Sequence, residues 1–391
     1  MLIVLGLSLA LRSGQAAAQD SPAFTPQEIG RILARGPWPP PAPRDSSNRV
    51  SGNTKAIALG ERLFYSPRLS GSGGVLCASC HEPWRAYSDG RSRGIGVEPG
   101  ERNTQSVINV RLQRWFGWDG ANDNLWAQSI RPLLARHEMR SSAAQVAALM
   151  RADADLSLLY REAFGAPPSA NDEALLVDVG KALAAYLETL VSGRTPFDDF
   201  RDALARGDAA AAARYPAQAQ RGLDIFIGRG GCARCHAGPD FSDGAFHRSG
   251  VASRLANGEA DSGRQDGIRN LLASRYNLVG PYNDDPARAG ARATREASGE
   301  AGTANAFRTP GLRQVTLTAP YMHDGSLATL CEVLSRHPAD PGGSGDTDAG
   351  GSGAAHADFN AADRNNLVAF LGTLTEADTR RYADADAAAC R

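Results

Sequence analysis

Cys77-Ala78-Ser79-Cys80-His81 and Cys232-Ala233-Arg234-Cys235-His236 decide how this chain is read. Two cysteines separated by two residues and followed at once by histidine form the attachment signature of a c-type haem. Both thiols add to vinyl groups of one porphyrin, so they stand one short turn apart, and the adjacent histidine then lies beneath the iron as its proximal ligand. A zinc site built from the two cysteine pairs is the competing account. It leaves the histidine after each second cysteine without a purpose. Two complete copies therefore predict two covalently attached haem c groups, held by Cys77, Cys80 and His81 and by Cys232, Cys235 and His236.

Working outward, each motif follows a helical stretch. Residues 54–65 place Ala56, Ile57, Leu59, Leu63 and Phe64 on one face, and Pro216 opens a second helix running to about Gly228. The parallel suggests two related cytochrome-like units, although no strict repeat extends beyond the motifs. Between them, Ser141 or Ser142 caps 143–151, Asp153 caps 154–164, and Asn171 opens a helix reaching Val191. A last helix is expected at 361–374. No sustained alternating pattern appears, so the fold is expected to be mainly α, with two cytochrome c-like domains.

The chain has 391 residues, 42% of them hydrophobic, and a net charge of −1. That length favours two domains, and the balanced charge gives no footing for nucleic acid. Residues 2–11 form an apolar run followed by Ala16-Ala17-Ala18-Gln19. The run is too short to span a bilayer and reads as a secretory signal cleaved near Ala18, although it lacks the usual basic leader. The expected division is a signal peptide at 1–18, a first haem domain at 19–195 and a second at 196–391. The mature form should carry no membrane span and work in the periplasm. Cys331 and Cys390 are left over, and in an exported protein they are expected to pair; spacing alone leaves two free thiols open.

Other stretches are less specific. Residues 36–50 read as an extended Pro-rich arm, 283–305 as a polar surface loop and 340–357 as a flexible insertion. Trp115, Phe116, Trp118 and Trp126 suggest either a haem edge or ordinary core packing.

Taken together, the chain resembles the bacterial di-haem cytochrome c peroxidase and MauG family. The resemblance rests on both haem motifs, Trp118-Asp119-Gly120, the spacing Gln128…Pro132…Glu138-Met139, and Arg308-Thr309-Pro310-Gly311-Leu312-Arg313 leading into Leu317-Thr318-Ala319-Pro320-Tyr321-Met322-His323-Asp324-Gly325. It covers roughly residues 55–375. It implies a haem in each of two α domains and a calcium ion between them. Trp118 matches the residue between the haems, Glu138 the distal acid, and Gln128 and Pro132 its pocket companions. Asn103 matches the side-chain calcium ligand, and Thr318 and Pro320 match residues giving carbonyl oxygens, the hard donors calcium prefers. The distal acid moves a proton as the O–O bond breaks, a role suited to a carboxylate in a partly dry pocket. Read from its local sequence alone, Glu138 is a surface glutamate.

One position departs from the pattern. Fourteen residues past His323 the family carries methionine or tyrosine as the second haem's sixth ligand; here the residue is His337. The resemblance thus implies iron held by His236 and His337, with a solvent-facing His337 as the alternative. Imidazole in place of a thioether should lower that haem's potential. The resulting expectation is a peroxidase that reduces hydrogen peroxide with electrons from a small cytochrome c or cupredoxin-type donor. A MauG-like oxidase of tryptophan or tyrosine in a partner protein is the second reading. A non-enzymatic di-haem electron carrier is the third, and it would need His137 as a sixth ligand for the first haem. The resemblance also allows a homodimer.

Overall fold

The computed structural model describes residues 24–248, 250, 254–255, 258–297, 303–337, 358–376 and 390. The expected signal segment and the whole of the 340–357 insertion lie outside them. The order of helices is α1 (Pro26–Leu33), α2 (Thr54–Phe64), α3 (Leu125–Leu134), α4 (Ala143–Ala152), α5 (Ala154–Phe164), α6 (Asp172–Leu187), α7 (Pro196–Ala205), α8 (Ala209–Ala212), α9 (Ala217–Ile227), α10 (Arg264–Ala273), α11 (Arg292–Glu296), α12 (Leu330–Arg336) and α13 (Ala361–Gly372). A two-stranded antiparallel ribbon, β1 (Phe246–Arg248) with β2 (Ala306–Arg308), pairs His247 with Phe307. The fold is mainly α, as expected.

Three helix starts follow the capping residues read from sequence: Ser142, Asp153 and Asn171 each accept a backbone N–H through the side chain, and Asn53, which the sequence reading did not single out, does the same for α2. The helix opened by Asn171 stops at Leu187, short of the expected Val191. There the Thr189 hydroxyl donates to the Tyr186 carbonyl, and the Leu190 carbonyl leaves the helical ladder to accept from Asn109 N–H at 2.7 Å. Within the expected surface loop at 283–305, the described residues 283–297 include regular structure. They contain α11, whose buried Thr294 donates to Asp123 Oδ2 at 2.6 Å.

Two hydrophobic cores result. The first is built on α2, α3, α4, α5 and α6, and α6 is buried nearly all round. Lys181 sits inside this core and keeps its charge satisfied. Its Nζ donates to the Tyr282 carbonyl at 2.8 Å and to Asp284 at 2.7 Å, and it lies over the Trp126 ring. The second core gathers Phe197, Phe200, Leu223, Phe226, Phe241, Leu367 and Phe370. It also takes Ile32 from α1, with Phe24 against Phe200 at 6.1 Å. The N-terminal helix, placed with the first unit on sequence, thus packs with the second. Its apolar face is short, and only a partner remote in sequence completes it.

The Pro-rich arm carries Trp38 into the protein, where its indole N–H donates to the Ser192 carbonyl at 2.9 Å. Arg313 stacks on that ring, with its guanidinium carbon 3.5 Å from the centroid. The same guanidinium grips Asp198 with two hydrogen bonds of 2.8 and 3.0 Å, and both side chains are almost wholly enclosed. Removing one partner of a buried pair strands the other charge. Arg313→Met is therefore expected to lower the unfolding free energy of the haem-loaded protein by about 3–5 kcal/mol. Urea unfolding followed at the haem bands reads this directly, and a midpoint equal to wild type would refute it.

Candidate functional site

Each cysteine pair lies on a single 3₁₀ turn, Cys77–Ser79 and Cys232–Arg234. The histidine N–H of each motif closes the turn onto the first cysteine's carbonyl at 2.9 Å. Each imidazole is then oriented from behind. His81 Nδ1 lies 3.1 Å from the Tyr87 carbonyl and His236 Nδ1 lies 3.0 Å from the Phe241 carbonyl. A donor Nδ1–H leaves Nε2 as the metal-facing atom, the arrangement metal-ligating histidines use. Burial holds His81 below the ordinary histidine range. His236 is pushed down to about 4, by burial first and then by the nearby His337. Both rings are thereby kept in the neutral form that ligates iron.

The cysteine pairs do not converge on a zinc site. Among the described residues, the ligating side chains close enough to share one ion are Cys235, Asp243 and His247, which include only one cysteine.

Around the first motif lies a cavity of about 410 Å³ lined by Cys77, Cys80 and His81 together with Trp118, Gln128, Pro132 and Glu138. The four residues expected to do the chemistry thus face the same space as the first proximal histidine. Asn124 caps α3, which carries Gln128 and Pro132, and the Asn122 amide donates to Gln128 Oε1 at 2.9 Å. Glu138 follows on a turn held by backbone bonds from Val97 N–H to its carbonyl and from Glu98 N–H to the His137 carbonyl. Its carboxylate is half-exposed and lies 3.9 Å from Arg131. The pocket is accordingly more open than a dry one, and Arg131 is a cation that sequence reading missed. It stands seven residues before Glu138, and only the end of α3 brings it back. His137 lines the cavity as well.

Trp118 links the two halves. Its indole N–H donates to the Asn103 carbonyl at 2.9 Å, and its own carbonyl accepts from Arg308 N–H at 2.8 Å. Arg102 braces this segment, pairing with Asp119 at 2.6 Å and Asp261 at 2.7 Å. The other members of the aromatic cluster separate in role. Phe116 lines the cavity, whereas Trp126 is fully buried in the first core with its N–H on Ser47 Oγ at 3.1 Å. Trp115 stacks on Arg264, so part of the cluster is ordinary packing.

Asn103, Thr318 and Pro320 line a second cavity, of about 100 Å³, together with Trp118 and Asp240. Oxygen donors collected in a small space suit a hard cation. Asp240 carried no signal in the sequence. Burial pushes its carboxyl up to about 7, against the pull of Arg313 and Arg308.

Two imidazoles facing one metal through bonds of about 2 Å have ring centroids about 6 Å apart. His236 and His337 lie 6.3 Å apart. His337 ends α12, and a disulfide between Cys331 and Cys390 ties that helix to the C-terminal end, with the two Cα atoms 5.5 Å apart. The pairing expected from leftover cysteines is present. Beside the motif, Arg35 is buried against Phe226 and Phe241, and its Nε has no hydrogen-bond partner. A haem propionate would satisfy that orphan. Nothing near Arg35 in sequence marks it, because the motif it approaches is almost two hundred residues away.

Comparison with known proteins agrees with this geometry. A family model described as di-haem cytochrome c peroxidase matches residues 54–206. The methylamine utilization protein MauG of Methylorubrum extorquens is 34% identical over 86% of this chain and 83% of its own length. Cytochrome-c peroxidase IdrP2 of Denitromonas iodatirespirans is 32% identical over 83% of each chain. The crystal structure of a MauG-like protein associated with microbial copper homeostasis superposes with a TM-score of 0.64 at 28% identity, covering 90% of this chain and 97% of that one. With two haem-attachment motifs, two helical cores and relatives of both kinds, this chain belongs to the di-haem cytochrome c peroxidase and MauG family.

Proposed function

We propose that the chain is a di-haem peroxidase that reduces hydrogen peroxide to water with electrons from a small cytochrome c or cupredoxin-type donor. The observation that carries the reading is the single cavity shared by His81, Glu138, Gln128, Pro132 and Trp118. The haem irons supply the redox chemistry when bound. The residues do the rest. Glu138 moves a proton from the proximal to the distal oxygen of peroxide, so that water is the leaving group. Arg131 stands 3.9 Å from that carboxylate at the rim of the same space. Gln128, held by Asn122, directs an amide toward the same space. Trp118 is the aromatic step on the way from the second half to the first.

The test is steady-state oxidation of a reduced small cytochrome c by hydrogen peroxide, using haem-loaded, calcium-replete protein with and without prior one-electron reduction. Turnover in either form supports the reading. A peroxide-induced haem spectrum without turnover would replace it with a MauG-like oxidation of another protein. That second reading is favoured by the imidazole at His337, which stabilises oxidised iron, and by the resemblance to a protein named for methylamine utilization. The absence of any spectral response would leave an electron carrier.

Calcium is proposed for the second cavity, held by Asn103, Thr318 and Pro320, with Asp240 as a titrating wall. The sign follows from the raised carboxyl. Below about 7 Asp240 is neutral, and above it the site gains a negative charge. Calcium affinity is expected to rise roughly tenfold from about pH 6 to about pH 8, with proton release on binding. Calorimetry in two buffers of different ionisation heat checks this, and Asp240→Asn should flatten the dependence. The Cys331–Cys390 disulfide supports work in an oxidising compartment, for which we propose the periplasm.

A further inference from the structure

The two halves repeat one packing arrangement that the sequence does not advertise. α2 crosses α6 at Gly60, where a Cβ would stand 2.1 Å from the Ala182 carbonyl oxygen. α9 crosses α13 at Gly222, where a Cβ would stand 1.9 Å from the Asn366 carbonyl oxygen. Four residues after each glycine a phenylalanine approaches the proximal histidine. Phe64 lies 6.5 Å from His81 and Phe226 lies 6.5 Å from His236, measured between ring centroids. The residue whose carbonyl orients each histidine is left-handed in both halves, Tyr87 at φ 58° and Phe241 at φ 55°. Their rings sit 6.2 and 6.0 Å from Phe64 and Phe226. The crossing helix contributes Tyr186, 5.4 Å from Phe64, and Phe370, 5.0 Å from Phe226.

Overlaid in this way, the halves differ at three corresponding places. The second half has Phe241, Phe370 and Ile227; the first has Tyr87, Tyr186 and Tyr65. Hydrocarbon side chains suffice to pack this arrangement, so the three hydroxyls call for another explanation. They form a connected set. Tyr65 and Tyr186 hydroxyls lie 3.4 Å apart, and the rings of Tyr186 and Tyr87 both pack on Phe64, with centroids 5.4 and 6.2 Å from it. The set begins at the residue hydrogen-bonded to His81 and ends at Tyr65, which is 41% exposed. Phenol is an oxidisable group, whereas the phenyl and aliphatic side chains of the second half are not.

We propose that Tyr87, Tyr186 and Tyr65 form a relay on the proximal side of the first haem position, making Tyr65 a second oxidation site at which small phenols are oxidised one electron at a time. The inference rests on the peroxidase reading above. In each event Tyr65 gives one electron inward and releases its phenolic proton to water. A phenol then returns one hydrogen atom to Tyr65 and departs as a phenoxyl radical. Two such events supply the two electrons and two protons that convert one hydrogen peroxide into two waters. Without a phenol, Tyr65 radicals on two protein molecules join through a carbon–carbon bond as dityrosine, with the same balance. Burial raises the pKa values of Tyr87 and Tyr186, so both hold their protons inside the protein.

The experiment uses the protein with both haems and calcium in place, hydrogen peroxide, and hydroquinone as the phenol. Wild type is expected to show a peroxide-induced haem spectrum, a tyrosyl signal by electron paramagnetic resonance, and dityrosine-linked dimers that hydroquinone suppresses. Tyr65→Phe and Tyr186→Phe copy the hydrocarbon chemistry of the second half and should fold. Tyr65→Phe should lose the dimers and the hydroquinone oxidation while retaining the haem response and cytochrome c oxidation. Tyr186→Phe should weaken the signal at Tyr65. Dimers and hydroquinone oxidation undiminished in both variants would overturn the relay. So would their loss in Trp84→Phe alone, because Trp84 is another exposed aromatic, 58% accessible, three residues beyond His81. A wild-type haem spectrum unmoved by peroxide would overturn the peroxidase reading, and the relay with it.

Discussion

Glu138→Gln is expected to lower peroxide-dependent oxidation of reduced cytochrome c by about 10²–10⁴-fold, the usual contribution of a positioned proton-transfer group. The amide keeps the shape of the side chain and its place beside Arg131 but cannot carry the proton. Both haems should remain attached, because Glu138 lies on the turn after α3, where its carboxylate faces Arg131 and takes no part in holding either cysteine pair. Denatured-haem absorbance and mass measure attachment, so a loss of activity with two haems present isolates the proton step. Turnover within a few-fold of wild type would remove Glu138 from the mechanism and point to water or Gln128 as the proton carrier. The half-open setting of the carboxylate matters here: bulk water can partly replace it, which places the expected loss nearer the lower end of the range.

His337→Met should raise the reduction potential of the second haem by on the order of 0.1–0.2 V, a fraction of the roughly 0.8 V that axial ligands span. The reason is ligand chemistry. A thioether favours reduced iron and a neutral imidazole favours the oxidised state. Spectroelectrochemistry of the two haems reads the shift, and the first haem serves as an internal reference. His337→Ala should instead open that coordination position, giving a high-spin spectrum in the oxidised protein. Unchanged spectra and potentials in both variants would place His337 outside the coordination sphere. A functional corollary follows: the methionine variant should accept electrons from a cytochrome c donor more readily, moving the protein toward ordinary peroxidase behaviour.

The sequence made the haem positions legible because their chemistry is local: two thiols and an imidazole must lie on one turn, and five consecutive residues record that. Helix starts were legible for the same reason, as Ser142, Asp153 and Asn171 act on backbone groups three residues away. Asn103, Thr318 and Pro320 came only from resemblance, and they line one cavity although more than two hundred residues separate the first from the others. What stayed hidden depends on remote partners. Arg35 packs on Phe226 and Phe241, Lys181 meets Asp284, and Asp240 gains its raised pKa from burial that no neighbour in sequence foretells. The repeated glycine and phenylalanine, Gly60 with Phe64 and Gly222 with Phe226, are visible in the chain. They acquire meaning only when the crossing helices α6 and α13 are seen against them.

The Cys331–Cys390 bridge has a consequence for how the protein matures. The chain needs two opposite fates for its six cysteines in one compartment. Cys331 and Cys390 must lose electrons to join, while Cys77, Cys80, Cys232 and Cys235 must stay as thiols until porphyrin reaches them. Six cysteines permit 15 complete pairings, and every one of them consumes both thiols of both haem motifs. An oxidant strong enough to close the C-terminal bridge also closes a Cys-x-x-Cys pair, so reductant must be supplied selectively to the motifs. The finished bridge resists that reductant, since Cys390 is buried. Assembly is thus a contest of order, in which seating Cys390 against Asn365 of α13 and Cys331 of α12 shelters one sulfur pair while the other two await their cofactor.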